Sequence, residues 1–319
     1  MKKPLLSIIL RTYNNQTFIL EALEGIFKQQ VDFDLELIYS DDCSQDNSFE
    51  IVEGAITGSV KFINVHIKKQ PKNLGVTGSL LYTLNKAQGD YIALCDGDDY
   101  WSDPEKSQIQ VDFLEANPDY EVCFTNVSTI EENGKVIKSK LIHDGRRTIY
   151  EMQHLPAWAP VSARVFRNRD FSFISRTVPE EDTYMLLYQS KFGKIKFIDI
   201  VAGAYRYQSK SIYSSLAISS KKDAALKTHM ECMNLVPKEL YSKYHNLILK
   251  KIVELRYLDK HLYLQRLSDL KAFMKVYPNR FSRKQSIKIS FIVGVLRVLD
   301  FVGVSGNKKF ILRVLDKII

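Results

Sequence analysis

Three carboxylates fall within four residues, at Asp96, Asp98 and Asp99, directly after the apolar run Tyr91 to Cys95. A buried strand that ends in clustered negative charge is costly unless something positive meets it. Oxygen ligands of this kind suit Mg2+ or Mn2+, whose octahedral shells are completed by substrate phosphates. An ion placed there takes up the charge that develops on a diphosphate when it leaves. The chemistry suggested is a divalent metal carrying a phosphorylated substrate. Taken alone, an Asp-x-Asp is also read as a capped, solvated strand–helix loop. Two further acidic pairs are Asp41-Asp42 and Glu181-Asp182. The second follows Pro179 at the start of a helical stretch, where negative side chains suit the helix dipole.

The elements that must position these groups alternate regularly at first. Leu5 to Leu10 is a continuous apolar run, as expected of a strand covered on both faces. Thr17 to Gln30 repeats apolar residues at helical spacing. Leu35 to Tyr39 predicts a second strand, Ser44 to Gly54 a second helix, and Val60 to Ile67 a third strand. Asn73-Leu74-Gly75 marks a turn, Thr77 to Gln88 a third helix, and Tyr91 to Cys95 the fourth strand. Asp103-Pro104-Glu105 opens a helix reaching about Ala116, with Asp at the cap and Pro at the first position. Such alternation predicts a parallel sheet with right-handed crossovers. Beyond it, Val122 to Ile130 and Lys135 to Leu141 flank Asn133-Gly134, a hairpin signal. Tyr150 to Arg169 reads as a loop around Trp158, and Pro179 to Lys191 as a helix. Ile195 to Tyr207 reads as a last strand or strand pair. Residues 221 to 277 and 287 to 319 read as helices.

The net charge of +8 is concentrated at one end. From Arg280 onward it is +7, which leaves the rest close to neutral and removes the main support for nucleic-acid binding. In the tail, Ile287, Phe291, Val295, Val298 and Val302 recur at helical intervals. Arg280, Arg283, Lys284 and Lys288 precede this stripe; Lys308, Lys309, Arg313 and Lys317 follow it. A basic amphipathic helix is expected to bind an anionic membrane surface; packing on the catalytic domain, or a dimer contact, is the alternative. The four cysteines share no Cys-x-x-Cys spacing and read as reduced, buried residues, which suits the cytoplasm. Met-Lys-Lys-Pro runs straight into a strand, leaving no room for a signal peptide.

Five segments, over about residues 4 to 210, resemble the inverting family 2 glycosyltransferases. They are Ser7 to Asn14, Ser40 to Asp46, Asn73-Leu74-Gly75 with Asn85 to Ile92, Asp96-Gly97-Asp98, and Glu181-Asp182. The resemblance implies a GT-A fold: a mixed, mainly parallel, Rossmann-like α/β sheet flanked by helices. On that reading residues 1–215 form the glycosyltransferase domain and 216–319 a helical, basic extension. Thr12, Tyr13 and Asn14 would line the nucleotide pocket, with Asn73 and Gly75 on its rim. Asp42 would accept from a pyrimidine imide, Asp96 would approach the ribose, and Asp98, with Asp96, would hold Mn2+ or Mg2+. The part played by Asp99 stays open.

The same resemblance makes Asp182 the general base, with Glu181 beside it. It makes Arg206, Lys210 and Ser211 diphosphate contacts, although Arg206 in Tyr-Arg-Tyr also reads as a cation stacked between aromatics. Where many members carry Arg-x-His, this chain has Arg206-Tyr207-Gln208, so the metal shell is expected to differ. The implied reaction moves a sugar from a nucleotide-sugar, most simply UDP-linked, to a glycan acceptor. Surface-polysaccharide synthesis (O-antigen or capsule) is the expected setting, with a lipid-linked acceptor at the inner face of a membrane. A non-catalytic nucleotide- or glycan-binding protein of the same fold is the rival reading. A nucleotidyltransferase would want a Gly-rich loop after the first strand, where Arg11 to Asn15 has no glycine.

Overall fold

The computed structural model describes residues 3–56, 61–172, 174–208 and 215–280, with Ile289 and Gly294. The chain divides into two compact units, Met1–Thr177 with Glu181–Ser211, and Val178–Glu180 with Ile212–Ile319.

The first unit is built on one mixed sheet. Strands β1 (Leu6–Thr12), β2 (Leu35–Asp41), β3 (Asn64–Lys69) and β4 (Tyr91–Asp96) alternate with helices α1 (Ile19–Phe27), α2 (Ser48–Ile56) and α3 (Gly75–Leu84). After the short β5 (Tyr100–Trp101) and α4 (Lys106–Ala116) come β6 (Tyr120–Ile130), β7 (Val136–Lys138), β8 (Ile149–Tyr150) and β9 (Arg164–Arg167). Helix α5 (Glu181–Gln189) and the long β10 (Lys194–Arg206) complete the unit. The strand order is β3-β2-β1-β4-β9-β6-β10-β5, with β7 on β6 and β8 on β10. Strands β3, β2, β1 and β4 are mutually parallel, as the alternation predicts. All seven residues of β1 and of β2 are buried, which fits the apolar majority in each strand.

Along β1, Leu6, Ile8 and Leu10 join Ala22, Leu23 and Ile26 of α1 in the main core. The intervening Ser7, Ile9 and Arg11 therefore take the opposite face. The register sets Arg11 beside Asp96 of β4. Two strands depart from the expectation. Residues 150 to 169 read as a loop, yet Arg164–Arg167 form β9, antiparallel to both β4 and β6. Its Arg164 and Arg167 look polar but spend their guanidiniums on backbone carbonyls of the interior. Tyr100–Trp101 likewise pair with β10, immediately after the acidic cluster. The hairpin around Asn133-Gly134 forms as expected, with Gly134 at a φ of 84°.

The second unit is helical in its described residues: α6 (Ile218–Cys232), α7 (Tyr241–Leu258) and α8 (Lys260–Val276). Leu226, Tyr244, Ile248, Ile252, Tyr263 and Leu267 are buried, and Arg266 pairs with Asp223. Asp259 caps α8 by accepting the Leu262 N–H at 3.0 Å. Among the described residues no helix is long and apolar enough to cross a membrane.

Candidate active site

The loops that follow β1 and β2 fold against one another. The Asn14 and Asn15 N–H groups donate to the Ser44 and Ser48 hydroxyls, each at 2.9 Å. The Gln16 N–H donates to Asp46 at 3.0 Å, and the Gln45 and Asn47 N–H groups return to the side chains of Asn14 and Gln16 at 2.8 and 3.1 Å. Asn14 and Cys43 adopt left-handed φ values of 57° and 69° to make these turns. Asp42 then ties in a third loop. Its two oxygens accept the Leu74 and Gly75 N–H groups at 2.7 and 3.0 Å. Gly75 has a φ of 73°, and its N–H also meets the Asn73 side chain at 2.8 Å. Burial pushes the Asp42 carboxyl up, against the pull of those two N–H donors.

At the end of β4 the chain turns sharply. A Cβ on Gly97 would stand 2.8 Å from the Thr12 hydroxyl and 3.0 Å from the Arg11 carbonyl oxygen, so only glycine fits between β1 and the acidic corner. Asp96 accepts from the Arg11 guanidinium at 2.7 Å. Asp98 accepts from the Gln208 amide at 2.8 Å. Asp99 is buried, and both of its oxygens are engaged, one by the Arg206 N–H at 3.0 Å and one by the Ser162 hydroxyl at 2.8 Å. Asp99 therefore fastens β4 to β10 and to the segment before β9. Burial and the neighbouring Asp96 push the Asp98 carboxyl up to about 6. Burial, with Asp98 and Asp96 nearby, raises Asp99 well above the usual carboxylate range.

Helix α5 brings Glu181 and Asp182 to this corner. Glu181 is buried, and desolvation pushes its carboxyl up to about 7, partly offset by the Arg11 guanidinium and reinforced by Asp182 and Asp96. Asp182 is half-buried. Its Oδ1 accepts the Thr183 N–H at 2.7 Å, while Oδ2 lies 3.7 Å from the Arg164 guanidinium. Arg164 is itself buried, donates to the Asp182 carbonyl at 3.0 Å and holds the Ala159 carbonyl at 2.5 Å. Side chains ten or more residues apart on four elements thus meet around the end of β4.

Several expected site residues sit differently from the reading above. Arg206, expected as a diphosphate contact, turns its guanidinium inward. It is 4 % exposed, lies 4.5 Å over the Phe18 ring, donates to the carbonyls of Asp98, Glu131 and Glu132, and pairs with Glu21. The stacked-cation reading describes it, and its donors are spent inside the fold. Thr12 is buried with its hydroxyl toward Gly97, so of the first-loop residues Tyr13 is the one that presents an exposed ring. Asn14 spends its amide on the neighbouring loop. Lys210, Ser211 and the basic tail beyond Arg280, Ile289 and Gly294 excepted, lie outside the described residues. Arg11, Ser162 and Arg164 were not expected in the site. Only the register of β1 on β4, and the existence of β9, brings them there.

A metal would have few resident ligands. Among the described residues no three His, Cys, Asp or Glu side chains converge into a cage. The donor set nevertheless fits an ion held chiefly by substrate phosphates. A cation beside Asp98 would offset the burial and the Asp96 repulsion that raise its carboxyl, and Asp96 already has its cation in Arg11.

A family model, Glycosyl transferase family 2, matches residues 7–182. The uncharacterized protein Rv1520 of Mycobacterium tuberculosis is 30% identical over 219 residues, covering 68% of this chain and 63% of its own length. The uncharacterized glycosyltransferase MJ1057 of Methanocaldococcus jannaschii is 31% identical over 139 residues, covering 43% of this chain and 47% of its own. Among solved structures, S. aureus TarS in complex with UDP-GlcNAc aligns over 86% of this chain and 82% of that one, with a TM-score of 0.61 at 18% identity. The mannosyltransferase PcManGT of Pyrobaculum calidifontis, in complex with GDP-Man and Mn2+, aligns with a TM-score of 0.55 at 12% identity, over 100% of this chain and 86% of that one. These likenesses bear on the fold, a mainly parallel α/β sheet of the GT-A kind. The matched segment contains the laced loops, the Asp96 corner and the start of α5, and the chain belongs to glycosyl transferase family 2.

Proposed function

We propose that the chain is an inverting glycosyltransferase that moves a sugar from a nucleotide-sugar, UDP-linked in this reading, to a hydroxyl of a glycan acceptor. One observation carries the proposal. Glu181, at the start of α5 and next to Asp182, lies close enough to the Arg11–Asp96 pair for their charges to act on its carboxyl, and the same Arg11 guanidinium feels Asp98. A leaving-group site and a proton acceptor therefore share one corner. The TarS complex with UDP-GlcNAc and the PcManGT complex with GDP-Man and Mn2+ support a donor of this class.

Each resident group has a part in that reaction. Asp182 takes the proton of the acceptor hydroxyl as it attacks the anomeric carbon. Its Oδ2 is held near Arg164 but not hydrogen-bonded at 3.7 Å, so lone pairs remain for that proton. Asp98, beside Gln208, would hold the metal, and a divalent ion there would supply positive charge to the departing diphosphate. Asp96, oriented by Arg11, lies toward the ribose. Each Asp42 oxygen keeps a second lone pair for an imide N–H. The Tyr13 ring and the turn at Asn73 and Gly75 border the base. Through its basic tail the protein would sit at the cytoplasmic face of a membrane and act on a lipid-linked glycan in surface-polysaccharide synthesis.

Calorimetry tests the donor site. UDP should bind more tightly with Mn2+ or Mg2+ than without, and Asp98→Ala should remove that gain. A metal-dependent gain that survives in Asp98→Ala would reject the metal assignment.

A further inference from the structure

Trp158 and Tyr205 form an exposed aromatic corner that the reaction has not yet used. Their rings meet edge to face, with centroids 6.2 Å apart and planes at 86°, and they stay 41% and 36% exposed. The corner is not loose surface. Arg146 donates to the Trp158 carbonyl at 2.7 Å, and Arg164 holds the next carbonyl, Ala159, at 2.5 Å. Tyr205 lies within β10, paired with Thr129, and the next residue is locked through its N–H to Asp99. Two guanidiniums and a strand therefore keep apolar ring surface in water, a cost that a ligand would recover.

Both arms of the corner lead to the reacting groups. The guanidinium that holds the loop of Trp158 also holds the backbone of Asp182 and faces its carboxylate. Tyr205 is three residues from Gln208, at most about 10 Å of extended chain, and Gln208 donates to Asp98. Trp158 is thus on the side of the proton acceptor. In an inverting transfer that is the acceptor's side, because the diphosphate departs from the opposite face. The C–H bonds of a pyranose ring, polarised by its oxygens, match the negative face of an aromatic ring.

We infer that Trp158 and Tyr205 form the acceptor-sugar subsite, one pyranose of the glycan stacking in their corner while its hydroxyl reaches Asp182. The inference rests on the proposed transfer reaction and adds where the acceptor binds. It also explains why buried Arg164 touches both Ala159 and Asp182: one cation sets the acceptor platform and the base in register.

The chain carries its own reporter. It has two tryptophans, and Trp101 is buried, donating its indole N–H to the Ser162 carbonyl at 2.7 Å under the Lys106 ammonium. Acrylamide quenching of the full chain therefore reads Trp158. Methyl glycosides of glucose, galactose, N-acetylglucosamine and rhamnose are titrated, with glycerol as the control. At least one glycoside, and not glycerol, should shield Trp158, and Tyr205→Leu should weaken that shielding roughly threefold to tenfold, the range of one aromatic contact. In assays with the donor found for the wild type, the same variant should raise the acceptor KM more than the donor KM. Absence of shielding by every glycoside overturns the inference. So does shielding undiminished in Tyr205→Leu, or shielding that grows with protein concentration alone, which would mean that a second copy covers the corner. UDP binding is measured in parallel: its absence counts against the transfer reaction, whereas its presence without glycoside shielding counts against the platform alone.

Discussion

Two adjacent carboxyl groups, Glu181 and Asp182, are treated very differently by the fold. Asp182 is half-buried beside a guanidinium; Glu181 is buried and pushed up to about 7. Replacing Asp182 by Asn should lower transfer about 10²- to 10⁴-fold, the range of a general base, with UDP binding intact. Full activity in that variant would sink the assignment. Glu181 makes a stability prediction of the opposite kind. Its folded value lies above the ordinary 4.5, so the native state holds the proton longer than the unfolded chain. The group therefore costs nothing below about 4.5 and costs progressively more as pH rises to about 7, after which the cost is constant. Glu181→Gln should raise Tm little at pH 5 and clearly at pH 8, by about 1–3 kcal/mol of unfolding free energy. A Tm difference that does not change with pH would show that Glu181 is not buried as described. Glu181 and Asp182 were visible as residues, but their division of labour was not. It depends on which side of the helix start faces Arg11, and that is set by packing.

At the scale of elements, β1, β2 and β4 could be read because most of their residues are apolar, and the first three strands are each followed by a helix. The corner of β4 was also local: Asp96, Gly97 and Asp98 are contiguous, and Gly97 is required where its Cβ would strike Thr12 and the Arg11 carbonyl. Gly97→Ala should cost about 1–3 kcal/mol by forcing that contact apart, readable as a lower urea midpoint and as weaker UDP binding. A midpoint unchanged from wild type would mean that the corner is looser than described. Strand β9 was hidden because its four residues include two arginines. Nothing in a single sequence shows that Arg164 and Arg167 point inward to cap carbonyls. Arg206 was placed by resemblance alone, and no sequence signal shows that its guanidinium is taken up inside the fold. It instead donates to three carbonyls and rests on Phe18. Gln208 was singled out by its position, and it does reach Asp98.

At the scale of the whole chain, the two units differ in composition as well as architecture, and the excess positive charge follows the second. If the tail is the membrane contact, the full chain should sediment with anionic vesicles and release them when salt is raised. Each Lys or Arg near such a surface contributes about 1 kcal/mol, so deletion of residues 280 to 319 should abolish the effect. Full-length protein that never sediments with anionic vesicles would end the membrane proposal.

The loops after β1 and β2 are joined by five hydrogen bonds that alternate in direction between them. Each uses a side chain of one loop and the backbone of the other, so neither half keeps its shape against a foreign counterpart. Anyone recombining this chain with a relative should therefore exchange residues 13–16 and 44–48 together. For laboratory evolution the two short segments are a single heritable cassette, despite the helix and strand that separate them in the gene.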